Sequence, residues 1–175
     1  FSLNILILGG SLGSKKINEV VSNNLFFFKK NKIKVIWQCG KSYFETYKKF
    51  QDKFIKIFPF LEQIENFYSE SDIIISRAGA LTISELCLVG KPSILIPSPN
   101  VSENHQHHNA KYLQDRNAAI VIDEKKINSD FLMYLNELIA SDETRKQLSK
   151  SIHMLARPNA TKDIVFQINK ILANG

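Results

Sequence analysis

The chain has 175 residues, 44% hydrophobic and 23% charged, a composition that excludes disordered, collagen-like and coiled-coil proteins and suits one globular domain. Its formal charge of +6 is uneven: residues 1–60 hold eleven Lys against three acids (Glu19, Glu45, Asp52), whereas residues 61–175 hold twelve basic and fourteen acidic side chains. A chain of this size can bury roughly 70% of its extended surface, so it needs neither a disulfide nor a metal to fold.

In chain order, short apolar runs at residues 3–8, 34–38, 54–58, 72–76, 93–97 and 119–122 read as six strands. Several are apolar at consecutive positions, as parallel strands covered on both sides must be. Helical periodicity or cap residues mark 14–28, 42–50, 64–68, 81–89 and 105–116 between them, and the last third (129–140, 142–156, 160–173) reads as helix alone. The alternation predicts a doubly wound, Rossmann-like α/β fold: a parallel six-stranded sheet with helices on both faces and a helical C-terminal segment. Residues 1–175 form a single domain on this reading, without repeats or a dividing linker. The apolar run from Ile5 to Leu8 is too short for a signal-peptide core, and no stretch approaches the ~18 apolar residues of a membrane span. A start at Phe1, without Met, predicts a piece of a longer chain. Cys39 and Cys87, far apart and in apolar surroundings, read as buried thiols of a cytosolic protein.

In a doubly wound sheet, ligands bind beyond the carboxyl ends of the strands, so the loops after the first, fourth and fifth strands carry the chemistry. The first, Gly9-Gly10-Ser11-Leu12-Gly13-Ser14, lets the backbone approach a phosphate and opens a helix N-terminus toward it. It is neither G-x-G-x-x-G nor a Walker loop, and the second strand ends Gln38-Cys39-Gly40 without the acid that a nicotinamide dinucleotide wants. The second loop runs from Ser76 to Glu85. Its Gly79 suits an unusual backbone angle, and Thr82 and Glu85 fit either a capping box or a phosphate-and-ribose site. The third, residues 97–110, holds His105, His107 and His108. Only His105 and His108 share a helical face, and no Cys or third acid completes a tetrahedron, so neither a metal nor a cofactor is expected. His105 and Gln106 at a helix start suit sugar hydroxyls instead.

GGSLGS, SRAGALTISE and HQHHNA, in this order and with these separations, together resemble the C-terminal half of the MurG family of bacterial peptidoglycan glycosyltransferases, of the GT-B superfamily. The likeness extends over essentially the whole chain, including Lys91-Pro92 and the segment 156–161. It implies a domain that binds UDP-N-acetylglucosamine, within a hexosyltransferase that converts lipid I to lipid II. By the resemblance, Gly10, Ser11 and Gly13 lie along the donor diphosphate; Arg77 flanks the nucleotide; and the backbone at Leu61 reads uracil. Leu81 and Thr82 meet the α-phosphate, with Ala80 among the substrate-binding residues beside them; Glu85 takes the ribose hydroxyls, and His105 and Gln106 hold the sugar. Leu12 departs from the polar residue associated with its position, which leaves the backbone there as the phosphate cradle. The resemblance further implies that the general base sits in an N-terminal, acceptor-binding domain outside this chain, so that the chain alone binds donor without turning it over. The full enzyme would then be peripheral on the cytoplasmic face of the inner membrane, taking a lipid-linked acceptor. Two other readings are a soluble donor-binding subunit of a two-chain transferase, and a non-enzymatic nucleotide-binding module. Nucleic acid is not expected, because the lysines of residues 15–56 lack an aromatic platform; they suit a solvated face or an anionic membrane surface.

Overall fold

A parallel strand covered by helices on both sides has no polar face, and the central strands of this chain show it, whereas the edge strand at residues 55–58 exposes Lys56. The computed structural model describes residues 3–99 and 104–173. The expectations that fall on Phe1, Ser2 and residues 100–103 of the third loop lie outside the described residues. Strands β1 (Asn4–Leu8), β2 (Lys34–Gln38), β3 (Ile55–Phe58), β4 (Ile73–Ser76), β5 (Ser93–Leu95) and β6 (Ile120–Val121) form one parallel sheet in the order β3-β2-β1-β4-β5-β6. Successive side chains leave a strand on opposite faces. Ile5, Ile7, Trp37, Ile73 and Ile75 therefore enter one core, while Leu6, Leu8, Ile74 and Leu95 enter the other.

Helices α1 (Lys15–Asn23) and α2 (Leu25–Lys30), the short α3 (Phe44–Tyr47) and, later in the chain, α7 (Ile127–Ala140) cover the first face. Helices α4 (Ile64–Glu70), α5 (Ala80–Val89) and α6 (His105–Gln114) cover the second. Helix α8 (Asp142–His153) closes the end, giving Leu148 to the first core and Ile152 to the second. One polar link runs through the first core: buried Asn18 accepts from Trp37 Nε1 at 2.9 Å and donates to the Cys39 carbonyl at 2.8 Å, tying α1 to the end of β2. Such a pair is tolerated inside only because every polar atom has its partner.

The expected strands all form, most of them a residue or two shorter at an end. The helix expected over 14–28 is broken at Asn24, whose side-chain amide donates to the Val20 carbonyl at 2.7 Å and ends α1. The segment 42–50 is one α turn flanked by two 3-10 turns rather than a continuous helix. Cys39 and Cys87 are buried and unpaired in different cores, with the sheet between them, and burial pushes the Cys39 thiol up to about 11. The last helix, α9 (Ala160–Ala173), stands apart from both cores. Ile164, Val165, Phe166, Ile168, Ile171 and Leu172 on it are 50% to 74% exposed. Among the described residues no helix is long and apolar enough to cross a membrane.

The strand order reverses between β1 and β4, where one half of the sheet winds away from the other. Crossover connections leave the two strands in opposite directions there, and a crevice opens beyond their carboxyl ends.

Candidate functional site

A cleft of 360 Å³ lies in that crevice, walled by the β1–α1 loop, the start of α5, and the segment leading into α4. The β1–α1 loop is a turn closed by Gly13 N–H donating to the Gly10 carbonyl at 3.0 Å. Gly10 has φ +86° with open space where a side chain would be, so the backbone itself faces the cleft. Gly13 has φ +82°, and a Cβ there would fall 2.2 Å from the Cys39 carbonyl oxygen; only glycine lets the loop lie against the end of β2. Gln38, at the position where an acid would be wanted for a dinucleotide, turns its amide to the loop and donates to the Gly10 carbonyl at 2.8 Å. Its role is to hold the turn. Ser14 caps α1, its hydroxyl accepting from Ile17 N–H at 3.3 Å. Leu12 is 82% exposed and contributes backbone alone to the turn.

Helix α5 starts at Ala80, with Gly79 as its N-cap and no side-chain cap. This corrects two expectations. Gly79 has φ −64°, which any residue adopts, so no unusual angle requires glycine. Thr82 and Glu85 sit inside the helix and form no capping box. The first intrahelical bond is Ile83 N–H to the Gly79 carbonyl, so the N–H groups of Ala80, Leu81 and Thr82 are those that the first turn of a helix leaves unsatisfied. They point out of the helix start with its positive dipole end, a ready anion site. Glu85, a turn further on, faces the cleft and accepts from the Tyr68 hydroxyl at 3.0 Å. Leu61 anchors its side chain in the second core, while neither its N–H nor its carbonyl is bonded among the described residues.

Arg77 lines the cleft but spends its guanidinium on the protein. Nη2 donates to Ser14 Oγ, Nη1 donates to the Ile96 carbonyl at 3.1 Å, and Nη1 is ion-paired with Glu124. It thus joins the cap of α1, the end of β5 and the 3-10 turn before α7. At the start of α6, Gln106 Oε1 accepts from Ser98 N–H at 2.9 Å and Ala78 N–H at 3.3 Å. Because both partners can only donate, the carbonyl oxygen is the end that faces the Ser98 and Ala78 backbone. Asn109 adds a bond to the Ala78 carbonyl at 3.0 Å. His105 and His108 are exposed, and among the described residues no three His, Cys, Asp or Glu side chains converge on one point.

Of the residues singled out in the sequence, Gly10, Ser11, Leu61, Arg77, Leu81, Thr82 and Glu85 wall the cleft together. Gly13 lies beneath it, Ala80 is exposed at the helix start, and His105 and Gln106 sit at the start of α6, joined to the Ala78 backbone through Gln106. Tyr68, Gln38, Asn109 and Glu124 join the site without having been singled out in the sequence. Tyr68 reads as one more apolar position of α4, and its hydroxyl, the one polar atom on that buried face, is the signal that could have singled it out.

The family model of the glycosyltransferase family 28 C-terminal domain matches residues 4–167. The UDP-N-acetylglucosamine–N-acetylmuramyl-(pentapeptide) pyrophosphoryl-undecaprenol N-acetylglucosamine transferase of Flavobacterium psychrophilum is 44% identical over 169 residues, 96% of this chain and 46% of that protein. Its counterpart from Christiangramia forsetii is 41% identical over 97% of the chain and 46% of its own length. Among solved structures, Acinetobacter baumannii MurG superposes with a TM-score of 0.84 at 32% identity, over 97% of this chain and 50% of the other. A UDP-GlcNAc 2-epimerase from Neisseria meningitidis, at 18% identity and a TM-score of 0.67, shares the fold over 97% of this chain and 44% of its own. The chain spans about half the length of the curated relatives that it matches.

Proposed function

The chain belongs to the glycosyltransferase family 28 C-terminal domain family, and on that premise we propose that it is the donor half of an inverting N-acetylglucosaminyltransferase of peptidoglycan synthesis. The donor is UDP-N-acetylglucosamine, and the acceptor in the full enzyme is undecaprenyl-diphospho-muramoyl-pentapeptide. One observation carries the reading: a glycine turn, an uncapped helix N-terminus and a carboxylate share one cleft at the switch point. Those three elements match, in order, a diphosphate, its α-phosphate and a ribose diol.

The uracil is taken by the free backbone groups of Leu61, the ribose by Glu85, and the phosphates by the N–H groups at Ala80–Thr82 together with the backbone at Gly10 and Ser11. Gln106, whose carbonyl oxygen is already taken by the Ser98 and Ala78 N–H groups, offers its NH₂ and with His105 holds the sugar. Displacement at the anomeric carbon leaves UDP with developing negative charge. The α5 N-terminus, whose N–H groups are already oriented, stabilises that charge without reorganisation. Arg77 acts mainly by fixing the loops, since its charge is already paired with Glu124. The general base that deprotonates the acceptor hydroxyl comes from the other half of the enzyme, which sits at the cytoplasmic face of the membrane. The chain by itself binds donor without turnover.

Calorimetry tests this directly. UDP-N-acetylglucosamine should bind the wild-type chain, and Glu85→Ala should weaken binding about 100-fold, the loss of two hydrogen bonds to a charged group at about 1.5 kcal/mol each. No heat of binding, or unchanged affinity in Glu85→Ala, would overturn the proposal.

A further inference from the structure

Glu85 is held before any ligand arrives. Its Oε2 accepts the Tyr68 hydroxyl at 3.0 Å across the groove between α4 and α5, and both residues wall the cleft. Tyr68 is 4% exposed and packs in the second core, so its ring cannot swing away. Glu85 Oε1 has no partner among the described residues. An ionised carboxylate has about four lone-pair sites on two oxygens, and a vicinal diol is gripped well only when both oxygens lie in the plane that the two hydroxyls present. A glutamate alone on a helix surface has three rotatable bonds and samples many such planes.

We propose that Tyr68 is the positioning residue of the nucleotide site, fixing the plane of the Glu85 carboxylate so that Oε1 and the outer lone pair of Oε2 meet the 2′ and 3′ hydroxyls of a ribose. The inference rests on the reading of the cleft as a UDP-sugar site and deepens it, because it makes ribose recognition a property of two elements. Burial, and then the neighbouring Glu85 charge, push the Tyr68 phenol above its ordinary range, which keeps it a neutral donor at working pH. Because Tyr68 gives its one hydrogen to Oε2, it orients the carboxylate without consuming Oε1.

The test compares UDP with 2′-deoxy-UDP by calorimetry on the wild-type chain, Tyr68→Phe, Glu85→Gln and the double variant. Tyr68→Phe keeps the ring and its packing and deletes one oxygen. The wild type should prefer UDP about 10-fold, and Tyr68→Phe should lower UDP affinity about 5-fold while reducing the preference to about 2-fold. In the Glu85→Gln background, removing the Tyr68 hydroxyl should change affinity less than about 2-fold. Equal losses for both nucleotides, or a preference that Tyr68→Phe leaves intact, would overturn the inference while leaving the UDP-sugar reading in place. A wild type that binds neither nucleotide would overturn both. Should Tyr68→Phe fold poorly, Glu85→Asp, whose carboxylate is withdrawn from the Tyr68 hydroxyl by one methylene, gives a second measurement: the preference should collapse, and its retention would overturn the inference.

Discussion

Two helices, α1 and α5, point their N-termini at the same crevice, and they are finished in opposite ways. Helix α1 is closed: Ser14 caps it, Arg77 bonds the capping hydroxyl, and the preceding glycine turn is wedged against the end of β2. Helix α5 is open: Gly79 offers no side chain, its backbone angles are ordinary, and the nearest atom to an added Cβ is Thr82 Oγ1 at 3.7 Å. The glycines of the two loops therefore serve different ends. Gly13 is needed for the fold, whereas Gly79 keeps a dipole end bare. A helix end capped by glycine rather than serine gives up a few tenths of a kcal/mol of stability, about 0.3, and a site that binds an anion recovers that only when the anion is present.

Substitutions at the two ends should separate these roles. The largest effect is expected for Gly13→Ala, which combines a positive φ with a backbone clash: a loss of about 3 kcal/mol or more in urea unfolding, with nucleotide binding lost alongside the fold. Ser14→Ala removes a cap and the partner of Arg77 and should cost about 2 kcal/mol in the same assay. Gly79→Ser reverses the pattern. Installing the missing cap should raise stability by about 0.3 kcal/mol while weakening UDP binding about 5-fold, because the new hydroxyl competes for the N–H groups. A Gly79→Ser chain that binds UDP as tightly as wild type would erase the distinction between the two helices.

The smallest signal is chemical. Cys39 lies under the α1 turn, with its thiol pushed up to about 11, so at pH 8 about 0.1% is thiolate and iodoacetamide labelling should be very slow. Labelling should accelerate in Gly13→Ala and stay slow in Gly79→Ser, reporting the closed end alone.

The sheet was legible because its central strands are buried on both faces, and consecutive Ile and Leu leave little else to read. The cleft was legible where glycines and a helix start coincide, as in GGSLGS and GALTISE. What escaped were relations between elements. Tyr68 and Glu85 lie on different helices, and nothing in α4 announces that one hydroxyl of an apolar face finds a carboxylate. Arg77 reads as a cation flanking the nucleotide, and its pairing with Glu124, far along the chain, emerges only in the fold. Gly79 looked like Gly13 in sequence because a glycine before a helix does not reveal its φ. The break at Asn24 was hidden because α1 and α2 are both apolar on one side, and a single side-chain bond to Val20 ends the first.

The contact between the β1–α1 turn and the end of β2 has a kinetic consequence. With Gly13 and Gly40 nearly touching, and the Gly10 carbonyl held by Gln38, the turn surrendered its freedom when the protein folded. A diphosphate in the proposed site need not wait for a loop to close. Association at this wall should be governed by encounter and desolvation rather than by loop ordering.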